Sequence, residues 1–278
     1  MINDGYFEAP MPPELRGEAA SGTYKARTGD GVEVSLDRAI FPIVRYDSDG
    51  RLHLVGTGFF IATNGLFVTA KHVLMHGVFD STGRQLYPIG ILQFIEGNIY
   101  IQRPILRCAY HPMADVAVGV AAPIKDKQGQ PLSNPILKLT LVPPVIGSRV
   151  VTYAYPRHAN VILESGEQRL NLMPRWYDGN LEEHFPNGRD QIFLPKPCFR
   201  TSIFIHGGAS GGPVFSRAGA VFGVNSTGIE GTDISFVSRL DEIFQLTIDD
   251  VILGSRSPAS VPVIEMARAG HIIVSPPL

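Results

Sequence analysis

The chain has 278 residues, of which 44% are hydrophobic and 18% charged, and this excludes disorder over most of its length. Lysine and arginine number 24 against 26 acidic residues, so the net charge of −2 supplies no basic field for a nucleic acid or an anionic membrane. Only two cysteines occur, which excludes a disulfide-dense secreted scaffold. The 29 glycines and 22 prolines favour many short strands over long helices.

The strand signals begin at Ala39, after residues 1–38, which we interpret as a polar N-terminal arm. Six apolar or alternating runs follow within about 80 residues, a density typical of a sandwich or a barrel. Asp-Gly and Asn-Gly dipeptides, typical of tight hairpin turns, separate the first three runs. The runs are AIFPIVRY, LHLVGTGFFIAT, LFVTA, LYPIGILQFI, NIYIQRPIL and DVAVGVA. Residues 39–121 are therefore predicted to form a first β unit.

A second β unit is predicted for residues 149–248. Its strands are predicted at RVVTYAY, ANVILE, QRLNLM, QIFLP, PVFSR, AVFGVNST and DISFVSR. Residues 122–148, rich in Pro, Lys and Gln, indicate a connector, and residues 176–190 a long surface loop. The run SRLDEIF predicts a capped short helix, and residues 249–278 a tail with a helical turn at IEMARAG.

Three segments contain residue types that perform nucleophilic catalysis together. TAKHV contains His72, HPMADVAV contains Asp115 and GGASGGP contains Ser210. Alone, these are typical of a surface histidine, a turn aspartate and a hairpin turn. Together they supply a serine, a base that can take and return its proton, and a carboxylate that orients the imidazole. The surrounding glycines free the backbone N–H groups of Gly208 and Ser210 to stabilise an oxyanion.

These segments resemble those of the chymotrypsin/trypsin family. TAKHV is similar to the TAAHC-type histidine segment, DVAV to the aspartate segment and GASGGPVF to the GDSGGP serine segment. The strands at GTGFFI and GVNSTG resemble those before the histidine and beside the substrate cleft, so the likeness covers residues 39–248. It implies an all-β fold of two six-stranded antiparallel β-barrels with the active site between them. It also implies a serine endopeptidase that forms an acyl-enzyme on protein or peptide substrates, with no metal and no cofactor.

The departures from the secreted members of the family concern activation and redox state. Val73 stands where cysteine is common, and Ala209 replaces the aspartate that pairs with a new N-terminus after zymogen cleavage. The chain therefore resembles the bacterial, HtrA-type members, and the roughly 30 residues after Thr247 are too few for their PDZ domain. Cys108 and Cys198, in different β units, are expected to be free thiols, although a bridge between them is conceivable.

The resemblance also suggests a substrate pocket. Phe204 is expected near its base, and the other predicted substrate-binding residues are Asn225, Ser226, Thr227 and Gly228. No aspartate occupies the expected base, which disfavours a preference for Lys or Arg. A shallow apolar pocket is one interpretation, and simple packing of the base phenylalanine in the second barrel is an equal alternative.

Two further functional hypotheses remain open at this point. One is a binding or scaffold protein that kept the barrels and lost proteolysis. The other is a latent protease in which an activating partner rearranges the turn around Gly208. The first thirty residues show no leader with basic residues before an apolar core, and no run of about 18 apolar residues occurs, so we expect a cytoplasmic protein. No His or Cys spacing predicts a metal site.

Overall fold

The fold was analysed in a computed structural model of the protein. It describes residues 24–75, 88–95, 100–125, 129, 131–156, 158–163, 166, 168–172, 174–229, 231–251 and 259–276. Most of the predicted N-terminal arm, residues 1–23, therefore lies outside the described residues. Its remainder contains a ribbon of β1 (Ala26–Arg27) and β2 (Glu33–Val34), followed by a single 3-10 turn, Leu36–Arg38.

The first six predicted strands form a closed antiparallel barrel, with neighbours in the order β3-β4-β5-β8-β7-β6. A short helix, Lys71–Met75, follows the third of them. The barrel interior is aromatic: the Phe41 ring lies 4.5 Å from that of Phe60 and 5.5 Å from that of Phe67. The strands are β3 (Ile40–Tyr46), β4 (Leu52–Phe60), β5 (Leu66–Thr69), β6 (Ile89–Phe94), β7 (Tyr100–Tyr110) and β8 (Ala117–Ala121).

A second ring of six antiparallel strands runs β10-β13-β14-β17-β16-β15 and closes through pairing of its last strand with its first. These strands are β10 (Arg149–Ala154), β13 (Arg175–Phe185), β14 (Cys198–Thr201), β15 (Pro213–Phe215), β16 (Val221–Gly228) and β17 (Ser235–Arg239). The predicted all-β fold of two six-stranded barrels is thereby confirmed. Two short parallel additions, β9 (Leu139–Thr140) and β20 (Val274–Ser275), extend the second sheet.

Two predictions in the second unit are wrong. Much of the polar stretch 176–190, predicted as a loop, belongs to strand β13, which pairs with β10 and β14. Its inward side chains are few but well packed: Leu181 is fully buried, and Trp176 contacts the Tyr153 ring edge-on at 5.0 Å. QIFLP, predicted as a strand, is a turn in which Asp190 Oδ1 accepts the backbone N–H groups of the next residues.

The remaining elements lie outside the two rings. β11 (His158–Ile162) and β12 (Gln168–Leu172) form a ribbon of their own. The predicted short helix is a 3-10 helix, Leu240–Gln245, and it has no side-chain N-cap, because the preceding residues still belong to β17. In the tail, β18 (Thr247–Val251) pairs with β19 (Ala259–Pro262), and the predicted helical turn is the helix Val263–Arg268.

One hydrophobic cluster connects the two barrels and thereby fixes the cleft between them. It joins side chains such as Phe41 and Phe60 of the first barrel to Tyr153, Tyr155 and Phe215 of the second. Because protein interiors are close-packed, loops that meet over this shared core are held at defined separations. In the described residues, no helix is both long enough and apolar enough to cross a membrane.

Candidate active site

The structure brings His72 and Asp115 into direct contact at the edge of the first barrel. His72 lies in the short helix after β5, and Asp115 in the loop between β7 and β8. The two are joined by His72 Nδ1 and Asp115 Oδ2 at 2.8 Å, and the His72 backbone N–H donates to Asp115 Oδ1 at 3.0 Å. One carboxylate therefore fixes both the ring and the backbone of the histidine, and it assigns the Nδ1–H tautomer. In that tautomer Nε2 is the unprotonated nitrogen of the neutral ring.

Ser226 adds a third interaction to Asp115 from the other barrel, because its hydroxyl donates to Asp115 Oδ2. Burial alone raises the pKa of Asp115, but the hydrogen bond and charge of His72, with the hydroxyl of Ser226, outweigh it and hold that pKa below its ordinary value. The carboxylate is thus ionised at neutral pH and can stabilise a protonated imidazole. The sequence predicted Ser226 as a substrate contact and did not indicate this second role.

Ser210 lies in the turn between β14 and β15, and it borders the same cavity of about 550 Å³ as His72. Its Oγ donates to the Ser226 carbonyl at 3.0 Å. Between the described residues there is no hydrogen bond from Ser210 Oγ to the imidazole of His72. Ser210 and His72 therefore border one cleft, and the serine hydroxyl is bound to the Ser226 carbonyl.

The turn before Ser210, predicted to contain the oxyanion hole, has a defined backbone geometry. The Ala209 N–H donates to the His206 carbonyl at 3.1 Å, and Gly208 has a φ of +95°, which is the pattern of a type II turn with glycine at its third position. A Cβ on Gly208 would lie 2.6 Å from the Tyr155 carbonyl oxygen. Over the described ranges, the N–H groups of Gly208 and Ser210 donate to no protein acceptor. Both are available to a developing oxyanion.

Thr57 of β4 holds this turn from the opposite barrel, a role that sequence reasoning missed. Its Oγ1 donates to the Gly208 carbonyl at 2.8 Å and accepts the Tyr155 N–H at 3.1 Å. Its backbone N–H donates to the Ser210 carbonyl at 2.8 Å. Thr57 is fully buried. The sequence feature that could have indicated this role is the GTG motif that contains Thr57, which was interpreted only as a strand resembling the family.

Gly211 explains why the serine segment needs glycine directly after the nucleophile. Its φ is +86°, and an added Cβ would lie 2.1 Å from Thr69 Oγ1 and 2.2 Å from the Thr57 carbonyl oxygen. The backbone of the serine turn therefore touches the first barrel with no room for a side chain.

Four of the five predicted substrate-binding residues border the cavity beside Ser210, namely Phe204, Ser226, Thr227 and Gly228. Phe204 is 38% exposed, and its ring meets His206 edge-on at 4.7 Å. The structure does not bring Asn225 to this surface. Asn225 is fully buried, and its Nδ2 donates to Thr152 Oγ1 at 2.7 Å while its carbonyl accepts the Gly211 N–H. Its position gives it a supporting role behind the turn.

A second cavity, of about 580 Å³, lies on the other side of His72 and Asp115. Its walls carry apolar side chains that are unusually exposed, with Ile192 at 81% and Phe193 at 70%. Both belong to the turn organised by Asp190, whose Oδ1 accepts their N–H groups at 2.9 and 2.6 Å. Met75 and Met113 complete the apolar part of the wall.

The two cysteines are free thiols, Cys108 on β7 and Cys198 on β14. Burial raises the pKa of Cys108 to about 12 and that of Cys198 to about 11, so neither is a nucleophile at neutral pH. A search of the described residues finds no group of three or more His, Cys, Asp or Glu side chains suited to a metal ion.

Comparison with known proteins places this fold and site among proteases. A family model described as a trypsin-like peptidase domain matches residues 56–224. The crystal structure of Deg5 is similar at a TM-score of 0.55 and 18% identity, covering 83% of this chain and 92% of that one. The active form of the Rv3671c protease from M. tuberculosis is similar at a TM-score of 0.51 and 18% identity, covering 87% and 91%. No curated protein matches the chain significantly.

The match to the peptidase family model, together with the double barrel, defines the class as serine endopeptidase, an enzyme that acts on proteins or peptides. The family match spans more than half of the chain, and the chain belongs to the family of trypsin-like peptidase domains. At 18% identity, the likeness to the two solved structures shows the fold alone.

Proposed function

We propose that the protein hydrolyses peptide bonds with Ser210 as nucleophile, His72 as general base and acid, and Asp115 as the orienting carboxylate. The observation that carries this proposal is the doubly held His72, whose ring and backbone both bind Asp115 in the cleft that contains Ser210. A surface histidine without a catalytic role would not be expected to have both its ring and its backbone N–H bound by one carboxylate.

The chemistry follows from these positions. Ser210 Oγ bonds to the carbonyl carbon of the substrate while its proton passes to His72 Nε2, and the oxyanion is stabilised by the N–H groups of Gly208 and Ser210. The C–N bond then breaks as His72 returns the proton to the leaving amine, which leaves an ester on Ser210. Water, deprotonated by the same imidazole, hydrolyses the ester and restores the serine.

Activation includes a rotation of the Ser210 side chain, because its hydroxyl has to leave the Ser226 carbonyl before it can donate to His72. The turn at Gly208 already has the type II form, and its N–H groups are available. What differs from a reactive site is the hydrogen bond from Ser210 Oγ to the Ser226 carbonyl. This supports restricted specificity, in which a fitting substrate induces the rotation, over an activating partner that rebuilds the turn.

Apolar substrate residues are proposed to bind at two places in the cleft, although His206, Ser226 and Thr227 also line the cavity at Ser210. Phe204 borders the cavity at Ser210, and none of the described residues that line this cavity is a carboxylate. The second cavity presents Ile192 and Phe193 beside His72. A peptide that crosses the cleft with large apolar side chains on both sides of His72 would bury this exposed surface.

Hydrolysis of a peptide library by wild type and by Ser210→Ala tests the function. We expect cleavage after apolar residues, and a kcat lower by on the order of 10⁶-fold in the variant, because the triad acts as a unit. The matched control Ser202→Ala removes a hydroxyl that binds the Asn180 N–H away from the cleft and should retain activity. Equal hydrolysis by wild type and Ser210→Ala would refute the assignment.

A second candidate, an inactive scaffold with the protease fold, is favoured by one observation. Ser210 Oγ binds the Ser226 carbonyl in place of His72. A scaffold of this kind would cleave no peptide and would bind peptides equally well with and without Ser210. Retention of an uncut peptide by wild type, measured by calorimetry, decides between the two.

An intracellular location is part of the proposal, and the two free thiols support it, since thiols persist in a reducing compartment. Trapping of thiols in freshly lysed cells tests it. Both cysteines should react fully with a maleimide after denaturation without reductant, and a requirement for reductant would contradict this location.

A further inference from the structure

His111 is a buried titratable side chain for which the proposed mechanism has no use. It is 1% exposed and lies four residues before Asp115, in the loop from β7 to β8. Its Nδ1 accepts the Ala114 N–H at 2.7 Å and the Met113 N–H at 3.1 Å. Two donors on one ring nitrogen mean that Nδ1 carries no proton, so the proton of the neutral ring is on Nε2. The imidazole takes the place of a backbone acceptor inside the loop.

The other ring nitrogen reaches a segment that follows the second barrel. Nε2 lies 3.3 Å from Gln245 Oε1 and 3.1 Å from Glu242 Oε2, both on the 3-10 helix after β17. Gln245 Nε2 in turn donates to Glu242 Oε2 at 2.7 Å, so its amide oxygen faces the histidine. Glu242 is only 6% exposed. Both groups beside Nε2 are hydrogen-bond acceptors, which favours the tautomer with its proton on Nε2. In this tautomer Nδ1 is free to accept the two loop N–H groups.

The loop between β7 and β8 is restrained by several hydrogen bonds around Asp115. The His111 N–H donates to the Val116 carbonyl at 3.1 Å and closes the loop around the carboxylate. The imidazole accepts the N–H groups of the two residues that directly precede Asp115. Lys71 Nζ donates to the Pro112 carbonyl of the same loop at 2.9 Å. A displacement of about 1 Å at a catalytic group can lower a rate by about 10²-fold. A buried, fully paired imidazole is a rigid means of preventing it.

We propose that His111 is a positioning residue for Asp115, and that Glu242 and Gln245 hold its imidazole in the tautomer that accepts the two loop N–H groups. The inference rests on the proposed function, because it assigns the task of holding the carboxylate of that triad. It adds a second connection to Asp115 from outside the first barrel, beside the hydroxyl of Ser226 on β16. The segment HPMAD thus encodes both the carboxylate and the side chain that holds it.

Two substitutions of His111 separate its two nitrogens. His111→Asn can present an amide oxygen near the position of Nδ1 and keep the loop contacts, while His111→Gln reaches the position of Nε2 and keeps only the contact with Glu242. We expect His111→Gln to lose about 10²-fold in kcat with KM within about threefold, and His111→Asn to retain kcat within about fivefold. Equal kcat values for the two variants would overturn the proposal.

A double-mutant cycle with Asp115→Asn tests whether the effect passes through the carboxylate. In that background, His111→Gln should lower kcat by less than about threefold, because the positioned group is already removed. The same loss of about 10²-fold in both backgrounds would mean that His111 acts elsewhere and would overturn the proposal. Urea unfolding of each variant identifies any that does not fold. If a variant of the cycle does not fold, the ratio of kcat between His111→Asn and His111→Gln decides the test instead.

A failure of the proposed function can be distinguished from a failure of the positioning role. If wild type does not hydrolyse peptides in a Ser210-dependent way, the triad assignment is wrong whatever the variants do. If wild type is active and His111→Gln, shown to be folded, has wild-type kcat, only the positioning role is wrong.

Discussion

At the scale of single residues, the site depends on hydrogen bonds that cross between the barrels. Thr57 binds the turn that bears Ser210, and Ser226 binds the carboxylate of Asp115. Each donor lies on a strand of one barrel and its acceptor on a loop of the other. A charged or polar group buried in this way is held firmly, because leaving it unpaired costs about 1–3 kcal/mol.

Thr57→Val tests this reasoning at the oxyanion turn. The change keeps the shape of the side chain but removes the hydroxyl from the Gly208 carbonyl and the Tyr155 N–H. We expect kcat to fall by up to about 10²–10³-fold, the loss known for removing one oxyanion donor, with little change in KM. Steady-state kinetics with Thr57→Ser, which retains the hydroxyl, provide the control. A kcat equal to wild type in the valine variant would show that the turn holds its form without Thr57.

The lowered pKa of Asp115 predicts a pH dependence of stability. A carboxyl group whose pKa is lower in the folded protein than in the unfolded chain stabilises the fold above the unfolded pKa of about 3.9. That contribution disappears as the pH falls through the lower, folded pKa. Urea unfolding of wild type and Asp115→Asn should therefore differ most at neutral pH and converge in acid. A difference that grows toward low pH would contradict the assigned direction.

At the scale of elements, the turn at Ile192 and Phe193 forms the apolar wall beside His72. Phe193→Ala should lower kcat/KM by roughly tenfold for peptides with large apolar residues, because burying a phenylalanine contributes about 1.5–3 kcal/mol. Stability should change by less than about 0.5 kcal/mol, since the ring is 70% exposed. Val145→Ala, an exposed apolar side chain that lines neither cavity, is the control. Equal losses for apolar and polar peptides would remove this wall from substrate recognition.

The elements also show where sequence patterns succeed and fail. The strands of the first barrel follow its apolar runs because hairpin pairs such as β3 and β4 are local and each contains a continuous run of buried residues. Strand β13 was hidden by its polar composition, since its contacts with β10 and β14 are long-range. The apolar run QIFLP is the opposite case. Its composition favours a strand, but hydrogen bonds to the Asp190 side chain form a turn there.

The candidate site follows the same division. The positions of His72, Asp115 and Ser210 could be predicted because each lies in a short local motif whose chemistry is specific. The role of Thr57 could not, because its contact with Gly208 joins residues more than 100 positions apart along the chain. The proposed role of His111 depends in the same way on Glu242, which binds its Nε2, although its contacts with Met113 and Ala114 are local. No local pattern encodes such a pairing.

At the scale of the whole molecule, the shared hydrophobic cluster predicts that the two barrels unfold together. Cys108 and Cys198 report on one barrel each. Cys198 is buried and Cys108 half-buried, and burial raises the pKa of these thiols to about 11 and 12, so both should react more slowly in the folded protein than in the unfolded chain. Pulsed thiol labelling across a urea gradient should give one midpoint for both cysteines. The single variants Cys108→Ser and Cys198→Ser assign the signals, and two separate midpoints would show that the barrels are independent folding units.

The central claim is that Ser210 forms a covalent intermediate with the help of His72. Intact-mass measurement after treatment with a fluorophosphonate tests it most directly. We expect one adduct on wild type, mapped to the peptide that contains Ser210, no adduct on Ser210→Ala, and at least about 10³-fold slower labelling of His72→Ala. An adduct that forms equally on wild type and Ser210→Ala, or none on a wild-type protein that cleaves peptides, would contradict it.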